Sequence, residues 1–410
     1  MIRSIKTDSR SKSTREYNIK IILFSLLVAL VYLFNFFHQV RYGSGETDSY
    51  YHLSYVRAMF NDGVLPKSQQ SYPLFFYVIA LFVIVIRNYT VAALLFVLIW
   101  AFFSNLLQIK IIKDLLDDDN NEYVIWMGSA LSFVWPISIH ALDFLSGETS
   151  YWNSMLHVYL TSGATAPYHN LTYLCVKPFA LLSIYTFLRI LRTDDDKEQR
   201  KYAIGLALAM LLSVLAKPCF YQCFAPAGTI FVIVYFFKRQ FKELKKCLMI
   251  AGAFVPATLW VLFSMTMKVQ PIAFSPFEGI MMNNNDGTSV VVILGRAIAY
   301  VLFVTVCMIV NKRKESNMIL GFLIYLFGVA EWTMLIFPLE KGALDMMWGY
   351  NMSVYLLFLF AIVSAIKFYN ARRNKILFCV GNGIFGLHAL LGLIIFTNTW
   401  FDSYYKYFIK

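Results

Sequence analysis

The chain has 410 residues, 59% of them hydrophobic and 17% aromatic, with only 15% charged and a net charge of +12. A soluble domain of this size would carry a largely apolar surface at that balance, so the composition excludes one and points to an integral membrane protein. The basic residues sit in short segments between apolar runs, where they set orientation and meet anionic headgroups, which leaves no role for nucleic acid as a partner.

The first 20 residues, MIRSIKTDSRSKSTREYNIK, contain six Lys/Arg, and the apolar run after them has no small-residue cleavage site. They predict a cytoplasmic tail, 1–19, followed by a span that stays as an anchor. A hydrocarbon core of roughly 30 Å takes about 20 residues at 1.5 Å of rise each. Apolar runs at 20–37, 91–109, 123–141, 171–188, 202–216, 222–237, 247–266, 289–310, 317–337, 351–366 and 376–396 predict eleven crossings. The run at 73–86, PLFFYVIALFVIVI, has 14 residues and opens on a proline, too short for a full crossing.

Charge decides how that short run lies. If it does not cross, the segments 189–201, 238–246, 312–314 and 367–375, with 5, 5, 3 and 4 basic residues, all face the cytoplasm beside the N-terminus. If it crosses, all of them face outward. The expectation is therefore an all-α polytopic fold, one transmembrane domain over 1–410, with about 11 transmembrane helices. A re-entrant or interfacial helix lies in the first external loop, 38–90. Further external loops are 142–170 and 267–288. GETDSYY at 45–51 is echoed by GETSYWN at 147–153, a match too short to establish a repeat. Six cysteines lie in or beside apolar runs, with neither a disulfide framework nor a zinc spacing.

Chemistry-bearing residues concentrate outside. TDSYYHLSYVRAMF, 47–60, reads as a short amphipathic helix with Tyr51, Tyr55 and Met59 at four-residue spacing. Asp48 and His52 share a face, while Arg57 is nine residues from Asp48 and half a turn out of phase. Asp48 is either a plain helix cap or a general base at the water–lipid boundary. Asp143, Glu148 and His157 form a second set, solvated, orienting an acceptor, or holding a divalent cation with the first loop. His140 completes that metal alternative, but no rigid ligand spacing is present and no residue is assigned to a metal. His169 and Asn170 precede the fourth span as a cap or as donors to sugar hydroxyls or phosphate. Lys177 is near enough to the outer end of that span to snorkel outward. Lys217, followed by Pro218 at the end of a long neutral run, either snorkels to the surface or takes an anionic partner such as a lipid phosphate, since a buried ammonium costs at least ~2.5 kcal/mol at mid-membrane. Glu331, Glu340, Lys341 and Asp345 fall on the same side, with 274–289 as a polar cover.

These motifs resemble a known class. A basic tail, a first span, an external loop with ETDSYYHL, a loop helix ending GVLP, and YPLFFYVIALFVIVI resemble the N-terminal third of GT-C-type glycosyltransferases. Protein O-mannosyltransferases and lipid A aminoarabinose transferases belong to that class. GLALAMLLSVLAKP resembles its Gly/Leu-rich span with a terminal lysine. The resemblance covers roughly residues 20–220, and the later spans match in character only. It implies transfer of a sugar from a polyprenyl-phosphate donor to a glycan, lipid or protein acceptor on the extracytoplasmic face of the cell membrane. Asp48 would act as base toward the acceptor, Lys217 on the donor phosphate, and Glu148 or Asp143 in the second acidic position. Where several branches have a paired acid after the catalytic one, this chain has Ser49, with Glu46 the nearest alternative. Arg57 or Lys67 would add charge toward the leaving phosphate. The alternatives are a polymerase for lipid-linked saccharides, a transporter or flippase, and an acyltransferase using His169 with Asn170.

Overall fold

The computed structural model describes residues 2–42, 48–116, 122–138, 163, 165, 169–267, 272–281, 288–336, 344–372 and 374–398. The helices are α1 (Ile2–Tyr42), α2 (Asp48–Asp62), α3 (Leu74–Ile86), α4 (Tyr89–Leu116), α5 (Glu122–Ala130), α6 (Leu171–Arg192), α7 (Asp196–Ala216) and α8 (Cys219–Lys238). They continue as α9 (Leu244–Met265), α10 (Glu278–Met281), α11 (Val290–Ala297), α12 (Ala299–Val310), α13 (Ser316–Met334), α14 (Leu344–Arg372) and α15 (Lys375–Asn398). Two-residue strands β1 (Ala273–Phe274) and β2 (Leu335–Ile336) pair antiparallel, Ala273 with Ile336 and Phe274 with Leu335. This pairing, with the Ser275 and Phe277 amides bonded to the Met334 and Thr333 carbonyls, straps 272–281 to the end of α13.

Among the described residues nine helices are long and apolar enough to cross a membrane, ten if α11 and α12 make one bent span. The protein is a multi-pass membrane protein by that measure. α14 and α6 form its centre, with 83% and 72% of their apolar windows buried, against 28% for the peripheral α9.

The expected span at 123–141 departs from the eleven. It is the nine-residue α5, then a 3-10 turn, Leu131–Phe133, then non-helical backbone through residue 138. Pro136 supplies the reason, since it lacks an N–H and disfavours helical geometry at Trp135. The freed backbone is rebonded across the bundle. The Trp135 N–H goes to the His388 carbonyl at 3.1 Å, and the Ile137 N–H to the Arg296 carbonyl at 3.2 Å.

That second bond also explains the 81° bend between α11 and α12. In an unbroken helix the Tyr300 N–H would bond the Arg296 carbonyl. Here Ile137 takes that carbonyl and the Tyr300 N–H turns to His388 Nε2 at 3.4 Å, so two outside partners replace one rung of the ladder. Because Nε2 accepts, the ring proton is on Nδ1 and is donated to the Trp135 carbonyl at 2.7 Å. One buried imidazole therefore joins both broken segments.

Contacts sort the bundle into two ends. At one, Lys113 lies over the Tyr17 ring, Lys20 pairs with Glu122, Arg189 with Asp114, Lys246 with Asp194 and Lys245 with Asp196. Lys367 pairs with Glu315, and Tyr369 stacks on Phe378, which also meets Tyr123. All four basic segments singled out in the sequence fall at this Lys20 end. α3 is tied to other elements at both of its ends. Ser71, before it, accepts from Trp260 near the close of α9, and Tyr89, after it, meets Phe60 and Arg57 of α2.

Candidate functional site

Three separate pieces of chain meet where α2 and α6 begin and α7 gives way to α8. Asp48 opens α2. Asn170 caps α6, because its Oδ1 accepts from the Tyr173 backbone N–H at 2.8 Å. Lys217 follows α7 in extended conformation, and Pro218 turns the chain into α8, so the lysine is held at a joint rather than on a helix face.

The side chains form a continuous line. The Lys217 ammonium donates to Thr172 Oγ1 at 3.4 Å, Thr172 donates to Asn170 Oδ1 at 2.7 Å, and Asn170 Nδ2 donates to Asp48 Oδ2 at 2.5 Å. His169 Nε2 is 3.4 Å from the same Oδ2. The Ser49 hydroxyl bonds the His169 carbonyl at 2.8 Å and Gln39 of α1 at 3.2 Å, pinning the segment before α6 to the first helix. Ser49, the departure from the paired-acid pattern, therefore has a structural task.

Lys217 is buried, with its ammonium 4.1 Å from the centre of the Trp348 ring, which in turn packs on His169 and Tyr173. No carboxylate lies within ion-pair distance of it among the described residues, in contrast to the paired lysines at the opposite end. A desolvated cation held by an aromatic face and one hydroxyl keeps its donors available for an anion. The Asp48 side chain is partly enclosed and 42% exposed.

Electrostatics suits an ionised carboxylate. Burial pushes the Asp48 carboxyl up, but His169, His52, Lys217 and the Asn170 amide together outweigh it and hold it below the ordinary carboxylate range. Burial, together with the Lys217 charge, also depresses His169 and takes His52 down to about 3, against the opposing pull of Asp48. Both imidazoles are neutral at pH 7.

Not every sequence candidate converges. His52 is enclosed by Phe75 and Phe76, its ring centre 5.6 and 5.9 Å from theirs, and is packed as a core ring. Arg57 is exposed on the Tyr89 ring and Lys67 is exposed in a 3-10 turn, neither beside Lys217. Lys177 does not snorkel. It is 2% exposed, its ammonium 4.2 Å from the Tyr355 ring, because the central position of α6 leaves no path to the surface. Glu331 is buried beside Gly349, where an added Cβ would collide with its carboxylate. Glu46, Asp143, Glu148, His140 and His157 lie outside the described residues, as do Glu340 and Lys341. Among the described residues no group of three or more His, Cys, Asp or Glu could hold a metal ion.

Sequence reasoning missed Thr172 and Trp348. Thr172 was within reach, two residues after a capping asparagine. Trp348 is 131 positions from Lys217, and nothing local ties them. Comparison with protein families, with curated proteins and with solved structures returns no match.

Proposed function

We propose that the protein is a membrane glycosyltransferase that moves a sugar from a polyprenyl-phosphate donor to an acceptor hydroxyl at the Asp48 end of the bundle. The observation that carries this reading is the line through Thr172 and Asn170 from a buried ammonium, with no carboxylate partner among the described residues, to the part-exposed carboxylate of Asp48. The GT-C resemblance and its further expectations, a non-crossing α3 among them, belong to the same proposal. The Lys20 end, rich in basic residues, is the cytoplasmic one, which leaves the site on the extracytoplasmic face.

In the reaction the acceptor oxygen forms a bond to the anomeric carbon as the bond from that carbon to the phosphate oxygen breaks. The bonding pair leaves with the phosphate, whose growing charge Lys217 neutralises. The acceptor proton passes to Asp48 and then to water. A prenyl tail stays in lipid, so acid and cation have to lie at the bundle end, where they are found.

The test is replacement of Asp48 by Asn and of Lys217 by Met. Envelope glycans and glycolipids of cells carrying each variant are compared by mass spectrometry at matched protein amounts. Asp48→Asn should reduce one sugar modification at least about a hundredfold, the usual contribution of a general base. Lys217→Met should do likewise, and unchanged glycans in both variants would end the proposal.

One observation favours transport as a second reading: broken spans meet inside the bundle, as in many secondary carriers. Their freed backbone groups are nevertheless bonded to protein, through His388 and Arg296, rather than left for an ion. Lipid-linked sugar moved across proteoliposomes equally by wild type and Asp48→Asn would favour it.

A further inference from the structure

Asn170 was a candidate for binding sugar or phosphate, yet its amide is already committed. With Oδ1 held by two donors, the Tyr173 N–H and the Thr172 hydroxyl, the group cannot be reversed, and Nδ2 must face Asp48. The residue is 2% exposed, so solvent does not compete for these bonds. Both the Asn170 and the His169 contacts fall on Oδ2 of Asp48, while Oδ1 has no hydrogen-bond partner among the described residues.

We propose that Asn170 is a positioning residue, which holds Oδ2 of Asp48 so that Oδ1 is the atom presented to the acceptor hydroxyl. This rests on the transferase reading. A carboxylate on the first residue of a helix turns freely about its side-chain torsions unless one oxygen is fixed, and a misplaced base loses rate without losing donor affinity.

Capping and positioning can be separated, because they use different atoms. Asn170→Ser and Asn170→Asp keep an oxygen for the Tyr173 N–H but lose the donor to Asp48, whereas Asn170→Ala loses both. The assay is turnover by purified, reconstituted protein of the polyprenyl-phosphate sugars extracted from the same cells, across pH 4 to 8. Asn170→Ser should keep its melting temperature and donor KM but lose turnover tenfold or more. The acid limb of its pH profile should move up, since Asp48 then faces only His52, His169 and Lys217. Asn170→Asp should show the larger loss.

Wild-type turnover and pH profile in Asn170→Ser, with Asp48→Asn inactive, would overturn the positioning role alone. Full activity in Asp48→Asn would overturn both it and the transferase reading. If Asn170→Ser misfolds, Asn170→Asp decides on the same two readouts.

Discussion

His52 shows how strongly a single side chain is defined by what packs on it. The sequence places it one turn from Asp48 as a partner in chemistry, but Phe75 and Phe76 enclose it and leave it 7% exposed. Burial, its largest influence, lowers its pKa from 6.5 to about 3. Between those values the unfolded chain takes up a proton that the folded protein refuses, so stability falls as pH drops below 6.5. Asp48, held in its ionised form, loses stability in the same direction on acidification. The His52 contribution is about 1.4 kcal/mol per pH unit, or about 2 kcal/mol by pH 5. The melting temperature in detergent should therefore drop between pH 7 and pH 5, and drop less in His52→Phe. An equal drop in both would show that His52 is not the group responsible. Asp48, His169, Asn170 and Lys217 were all legible as polar residues beside apolar runs, whereas their mutual distances were not.

Among the elements, the broken spans were the least legible. Hydropathy sums residues over a window, and 123–141 and 289–310 pass that sum although neither is one continuous helix. Pro136 marks the first break in the sequence itself. The bend at Ile298 has no such mark, because its cause is a competition for backbone bonds by Ile137 and His388, remote in sequence. α15 approaches that region so closely that a Cβ on Gly392 would coincide with the Phe133 carbonyl oxygen. Gly392→Ala should thus cost several kcal/mol even though alanine is the better helix former by about 1 kcal/mol. The check is the melting temperature beside that of Gly383→Ala, a position on the same helix with open space around it. A stable Gly392→Ala protein would mean that α15 packs less tightly than described.

At the scale of the whole molecule, charge is divided between the two ends of the bundle. The Lys–carboxylate and Arg–carboxylate pairs among the described residues gather at the Lys20 end, and the Asp48 end has an ammonium on a tryptophan instead. The Lys20–Glu122 pair is exposed and adds little stability, Lys246 is buried against Asp194, and the buried Lys217 has no carboxylate partner among the described residues. The two ends can be told apart by labelling. In a background lacking the exposed Cys379, Asn88→Cys should react with an impermeant maleimide from outside intact cells, and Lys312→Cys only after the cells are opened. Asn88→Cys protected until lysis would place α3 across the membrane and invert everything after it.

The sequence by itself determined that the chain is a multi-pass helical membrane protein, because hydrocarbon thickness and backbone hydrogen bonding translate directly into lengths of apolar residues. It also determined which segments share an end, because basic residues are costly to move across a bilayer. Only the tertiary structure decided that α5 and the α11–α12 pair are broken, that Lys177 points inward, and that Thr172 and Asn170 join Lys217 to Asp48. Those outcomes depend on contacts between residues far apart in the chain, whose strength is set by packing and desolvation rather than by any local pattern.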